Sequence, residues 1–159
     1  MDTIFAQASA PGRAGVAVIR ISGPRAFAIA EKITGKRPKG RESALRNLRG
    51  AEGEVIDQAL MLSFPGPNSF TGEDVVELQV HGSIAVVRAM LSLLATLPET
   101  RMAEAGEFTR RALENEKLDL VQVEGLADLI EAETEAQRKQ ALRVLSGHLG
   151  ARIEDWRKD

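Results

Sequence analysis

The sequence predicts an α+β fold: a mixed sheet packed with helices, followed by a long C-terminal helical arm. Three observations predict it. Residues 15–22 and 75–81 alternate with the period of two that a half-buried strand requires. Residues 83–97 carry apolar side chains at helical spacing, and from about residue 119 onward the helical pattern dominates to the end of the chain. At 159 residues the chain is long enough for one core, or one core with an appended element.

Each element has its own signal. Gly15 to Ser22 is β-branched and bracketed by Pro11-Gly12 and Gly23-Pro24, which reads as a strand between two turns. Phe27, Ile29, Ala30 and Ile33 then fall at near-helical spacing until Gly35 and Pro38 stop the helix. Glu54–Ile56 and Ala59–Phe64 read as two extended segments around Asp57-Gln58, closed by Pro65-Gly66-Pro67-Asn68. In Val75–His81 the residues Val76, Leu78 and Val80 share one face, and Val75, Glu77, Gln79 and His81 the other. Ser83 can cap a helix whose stripe is Ile84, Val87, Leu91 and Leu94. Arg101–Ala103 reads as a last short strand. Asp119, with Gln122 three residues on, opens a helix with the stripe Val123, Leu126, Ala127 and Ile130. A polar interval follows, in which Glu135 and Lys139 are spaced as an i, i+4 pair; Ala141, Val144, Leu145, Leu149, Ile153 and Trp156 then resume the apolar face. A boundary is expected near residues 114–119, giving a body over 1–118 and a helical arm over 119–159.

Composition excludes several classes of function. There is no Cys, and His81 and His148 are the two His, so a zinc site, thiol chemistry and metal catalysis are all excluded as expectations. No apolar run approaches the ~20 residues of a membrane helix and Met1-Asp2-Thr3 begins no signal peptide, so a cytoplasmic protein is expected. Net charge is −2, without the overall basic footprint of an autonomous nucleic-acid binder. The one basic segment (Lys32, Lys36, Arg37, Lys39, Arg41, Arg46 and Arg49) lies among Gly and Pro without aromatic residues and reads as a solvated loop.

Two charged residues are expensive where they stand. Arg20 shares a strand face with Val16 and Val18, and an unpaired guanidinium there needs an anion, either a core carboxylate or an acidic group of a ligand. Glu77 lies between core residues and needs donors. Arg20 could supply them internally, or the N–H edge of a heterocycle such as a pterin could. His81 reads as a satisfied strand-end histidine more readily than as a base. Pro11-Gly12-Arg13-Ala14-Gly15 precedes a strand instead of linking a strand to a helix, so it is a poor phosphate loop. No G-x-x-x-x-G-K-[ST] occurs, since Gly35-Lys36 is followed by Arg37.

Three long segments, TIFAQASAPGRAGVAVIRISGP (3–24), FPGPNSFTGEDVVELQVHG (64–82) and AGEFTRRALENEKLDLVQVEGLADLIEAETEAQ (105–137), together resemble the MnmE (TrmE) family of tRNA modification GTPases. The resemblance implies an N-terminal domain similar to the tetrahydrofolate-binding domains of aminomethyltransferases, then the first helices of a helical domain, with the GTPase domain absent. It implies that the parent is a homodimeric GTP hydrolase. With a flavin-dependent partner, MnmG (GidA), such a protein modifies the wobble uridine of tRNA using a tetrahydrofolate one-carbon donor, in the 5-formyl or 5,10-methylene form. GTP, Mg and K would belong to the absent domain, so the chain alone is expected to lack GTPase activity.

The family's folate-contacting positions match Arg20, Glu77 and Lys117, with no catalytic residue and no metal ligand in this chain. Folate offers a pterin edge suited to Glu77 and carboxylates suited to Arg20 or Lys117. The chain departs from the family pattern at Ala14, Ser83, Ala105 and Gly125, and Gly125 is expected to loosen its helix by up to about 1 kcal/mol relative to Ala. The alternatives are a stand-alone folate enzyme of aminomethyltransferase type, with His81 as its candidate acid or base, and a purely structural dimerisation module.

Overall fold

The alternation read in the sequence becomes the two faces of one sheet. A computed structural model describes the backbone of residues 2–158 and the side chains of residues 2–146. The expected stripe residues Leu149, Ile153 and Trp156, together with His148, therefore lie outside the described side chains. Six strands, β1 (Thr3–Gln7), β2 (Val16–Ser22), β3 (Glu42–Arg49), β4 (Val55–Phe64), β5 (Val75–His81) and β6 (Thr100–Met102), form a mixed sheet in the order β3-β4-β5-β2-β1-β6. Every neighbouring pair is antiparallel except β1 with β6, which is parallel.

One face of the sheet is the core. Ala17, Ile19 and Ile21 of β2, Val76, Leu78 and Val80 of β5, and Ala59 and Met61 of β4 are all buried. Helices α1 (Ala26–Thr34) and α2 (Ile84–Ala95) contribute Phe27, Ile29, Ala30, Ile33, Met90 and Leu94 to the same cluster. Burying a side chain of this size stabilises by about 1.5–3 kcal/mol, which fixes the register because a slip by one residue would turn the set outward.

Local signals end the helices as expected. Gly35 caps α1 in the left-handed conformation at φ 81°, and the Ser83 side chain accepts from the Val86 amide at 3.0 Å at the start of α2. Of the expected α2 stripe, Leu94 is buried beside Met90 and Val87 and Leu91 pack against the core, whereas Ile84 is exposed. Ile84, Val87 and Leu91 also line an apolar groove of about 370 Å³ shared with Gln7, Arg88 and Met102.

The structure corrects the reading of residues 32–64. Glu42–Arg49 is a strand and not a loop, and it forms a hairpin with β4 across the turn at 50–54. Val55–Phe64 is accordingly one continuous strand instead of two segments around Asp57-Gln58. As the sheet's edge, β3 needs few apolar residues, so its polar composition concealed it. β1 carries no strand alternation for the opposite reason: Thr3, Ile4 and Phe5 are all fully buried.

Chain contacts divide the molecule into two units, Met1–Phe108 and Thr109–Asp159. Helix α3 (Glu107–Glu114) runs across this division, and α4 (Leu120–Glu131) and α5 (Glu135–Lys158) belong to the second unit. α4 opens on a complete capping box between Asp119 and Gln122. Its buried face is Gln122 and Gly125, not the expected stripe, and Ile130 is 76% exposed. Gly125 has a packing reason: a Cβ there would lie 3.3 Å from the Leu145 amide nitrogen and from Val144 Cγ1. The expected Glu135–Lys139 pair is replaced by one at i, i+3, with Arg138 Nε donating to Glu135 Oε2 at 3.0 Å. This bond holds the Glu135 carboxyl below its ordinary range. No helix among the described residues is long and apolar enough to cross a membrane.

Candidate functional site

The face of the sheet opposite α1 and α2 carries the costly charges. Arg20 and Glu77 are direct partners in the β2–β5 register, so their side chains leave the same face side by side. Arg20 Nε donates to Glu77 Oε2 at 2.7 Å, and both side chains are about one-fifth exposed, at 23% and 19%. The internal pair weighed from the sequence is therefore formed.

Two phenyl rings hold the guanidinium. Its carbon lies 5.2 Å from the Phe70 ring centroid and 5.3 Å from that of Phe108, within cation–π range. Phe70 belongs to the 65–74 loop, which is anchored on the sheet by a buried polar knot. Ser22 Oγ lies 2.7 Å from Thr71 Oγ1 and donates to Glu73 Oε1 at 2.8 Å. Phe108 lies at the start of α3, next to a second anchor: Glu107, 2% exposed, accepts from Arg101 Nη1 at 2.8 Å and from the Glu104 amide at 2.9 Å. Hydrogen bonds to Glu107 and then Asp2 hold the Arg101 guanidinium more firmly protonated than usual.

This geometry leaves hydrogen-bonding capacity uncommitted. Among the described residues, Arg20 uses Nε alone and Glu77 uses Oε2 alone. The two Nη groups and Oε1 thus present donors and an acceptor between aromatic surfaces, as a flat heterocycle bearing both kinds of group requires. A simple anion would meet the Glu77 carboxylate as well as the Arg20 cation. The apolar groove beside α2 carries Arg88 and Gln7 among aliphatic side chains but has neither a carboxylate nor an aromatic ring in its lining.

Lys117, the third position singled out in the sequence, belongs to the second unit. It is exposed and follows α3, its amide donating to the Ala112 carbonyl at 2.8 Å after Glu116 turns the chain at φ 60°. His81 ends β5, with Nδ1 2.8 Å from Asp57 Oδ1, while its amide donates to Asp57 Oδ2 at 2.8 Å. Burial pushes the Asp57 carboxyl up, but bonds from the His81 amide and ring and the Gln58 amide outweigh it and hold the group below its ordinary value. Among the described residues, no cluster of His, Asp and Glu is arranged to hold a metal ion.

Phe70 and Phe108 had no place in the sequence reading of the site. A signal existed: both lie in Gly- and charge-rich stretches where no apolar periodicity would place a core phenylalanine.

Residues 3–117, which contain this whole arrangement, match the family model described as GTP-binding protein TrmE N-terminus. The chain belongs to the TrmE N-terminal family. TrmE-type relatives align along its full length. Proteins named tRNA modification GTPase MnmE from Roseobacter denitrificans and Dinoroseobacter shibae are 68% and 63% identical over 99% and 100% of the chain. One of the same name from Phenylobacterium zucineum is 55% identical over 99%. The chain spans 37% of the length of the first two and 35% of the third.

Proposed function

We propose that this chain is the tetrahydrofolate-binding and dimer-forming part of a GTPase that modifies tRNA. The observation that carries the reading is the Arg20–Glu77 pair held between Phe70 and Phe108 on an open sheet face. A pterin ring carries adjacent donors and acceptors on a flat surface, matching Glu77 Oε1 and the Arg20 Nη groups, with the phenyl rings supplying apolar contact. Lys117 is assigned to a folate carboxylate. Bound folate would supply the one-carbon unit; the residues of this chain bind and orient it.

Dimerisation is proposed for the same open face. Leu45 of β3 and Leu60 of β4 are cross-strand partners, 60% and 36% exposed, and Val16 of β2 is 57% exposed. A sheet face with these residues uncovered is stabilised by a second copy. The relatives' name, tRNA modification GTPase, supports the reading that the full-length protein modifies tRNA and hydrolyses GTP; GTP, Mg and K would bind outside these residues, and a flavin-dependent partner would act with it on the wobble uridine. A cytoplasmic location follows from that substrate.

Isothermal titration with 5-formyl-tetrahydrofolate tests the reading: a saturable heat and a rise in melting temperature are expected. Their absence would leave Arg20–Glu77 as an internal ion pair in a structural module, a reading that the 2.7 Å contact itself favours. The one-carbon enzyme reading rests on His81, whose Nδ1 is engaged by Asp57. Formyl or methylene transfer by the chain alone would establish it.

A further inference from the structure

We propose that the rim formed by the end of α1, the following turn and edge strand β3 is a phosphate-contacting surface for tRNA, resting on the reading that the full-length protein acts on tRNA. Residues 32–49 hold seven of the 21 Lys and Arg and one of the 23 Asp and Glu, a local charge of +6 that leaves −8 on the remainder of the chain. Positive charge is thus segregated to one rim of an acidic molecule.

The rim is ordered backbone and not the loop expected from the sequence. Lys32 lies in the last turn of α1, Gly35 ends that helix, and Lys36, Arg37 and Lys39 lead into Arg41 and β3. α1 packs on β3, so these residues form one continuous border. β3 extends it by about 23 Å, at roughly 3.3 Å per residue, to Arg49. Because β3 is the outermost strand, it also presents unpaired backbone N–H groups along this border.

These cations are left largely unneutralised. Arg20, Arg101, Arg110 and Arg138 each have a carboxylate within 4.0 Å. On the rim Arg37 alone has one among the described residues, Glu31 at 3.5 Å with both side chains more than half exposed. Arg49 and Arg46 donate to the carbonyls of Gly53 and Leu45, and Arg41 stacks on Phe64. Lys32, Lys36 and Lys39 form no ion pair among the described residues. Lys32, Lys36, Arg37, Lys39, Arg41 and Arg49 are exposed and Arg46 is half-buried; a row of cations of this kind suits the sugar-phosphate backbone, which positions a nucleic acid without reading its sequence.

The test compares two charge-matched variants of the full-length protein for tRNA binding by fluorescence anisotropy across a salt series. Replacing Lys32, Lys36, Arg37 and Lys39 by Gln is expected to weaken binding at least about tenfold, and to reduce the slope of log K against log salt by about two to three. Replacing Arg88, Arg138, Lys139 and Arg143 by Gln is expected to leave both unchanged. Equal affinity of the rim variant and the parent, equal losses in both variants, or no tRNA binding by the parent would each overturn the proposal. So would loss of a protein partner with tRNA affinity retained. The heat of 5-formyl-tetrahydrofolate binding should be the same in the rim variant and the parent, so failure of the folate reading registers separately.

Discussion

Arg20 on β2 and Glu77 on β5 are register partners whose side chains meet at 2.7 Å, so two adjacent strands set a forked cation and a carboxylate side by side on one face of the sheet. Each side chain is about four-fifths buried, so deleting one partner leaves the other charge without its bond, at a cost above the ~1 kcal/mol typical of an exposed pair.

Glu77→Ala is expected to fold with a lowered melting temperature, because Arg20 loses its one carboxylate partner among the described residues, and to give no heat with 5-formyl-tetrahydrofolate. Phe70→Ala should weaken binding by about tenfold, or ~1.4 kcal/mol, by removing one wall of the clamp. Retained affinity in Glu77→Ala would remove that residue from the site.

The Asp57–His81 contact predicts acid sensitivity. The Asp57 carboxyl is held below its ordinary value of 3.8, so it favours the folded state fully above that pH and loses this effect as pH falls through the depressed native value. Melting temperatures of the parent and Asp57→Asn, measured between about pH 2 and pH 6 across the Asp range, should differ most at the upper end and converge at the lower. Parallel curves would count against the assignment.

Gly82→Ala is expected to destabilise the body by more than ~1 kcal/mol. A Cβ at Gly82 would lie 2.3 Å from the Ala14 carbonyl oxygen, where the chains are joined by Ala14 N–H to Gly82 O at 3.0 Å and Gly82 N–H to Gly15 O at 3.2 Å. Backbone cannot yield there as a side-chain tip could. Urea denaturation would report the shift, and an unchanged midpoint would show that the 11–15 turn relaxes freely.

Leu45→Glu combined with Leu60→Glu should convert a dimer to a monomer in light scattering, because like charges would then stand opposite each other on the open face. A dimer that survives would place the interface elsewhere.

The sequence made β2 and β5 legible because each has one dry face and one mixed face, and the same alternation exposed Arg20 and Glu77. It made the caps at Ser83 and Asp119 legible because capping is local chemistry. It hid β1, whose residues are buried without alternation, and β3, whose neighbours supply its stability. The clamp was hidden because Phe70 and Phe108 reach Arg20 from segments distant in the chain, a tertiary relationship that no local pattern encodes. Burial at Gly125 was likewise invisible: its meaning lies in how closely α5 approaches.

The two-faced sheet has a consequence for how such a protein can change through descent. On β2 the core positions Ala17, Ile19 and Ile21 interleave with Val18 and Arg20, so every second codon answers to folding and the ones between are free to answer to whatever the open face meets. Selection can retune one set while the other stands still. A saturation library over β2 and β5, scored once for abundance and once for ligand retention, should resolve into two combs offset by one residue.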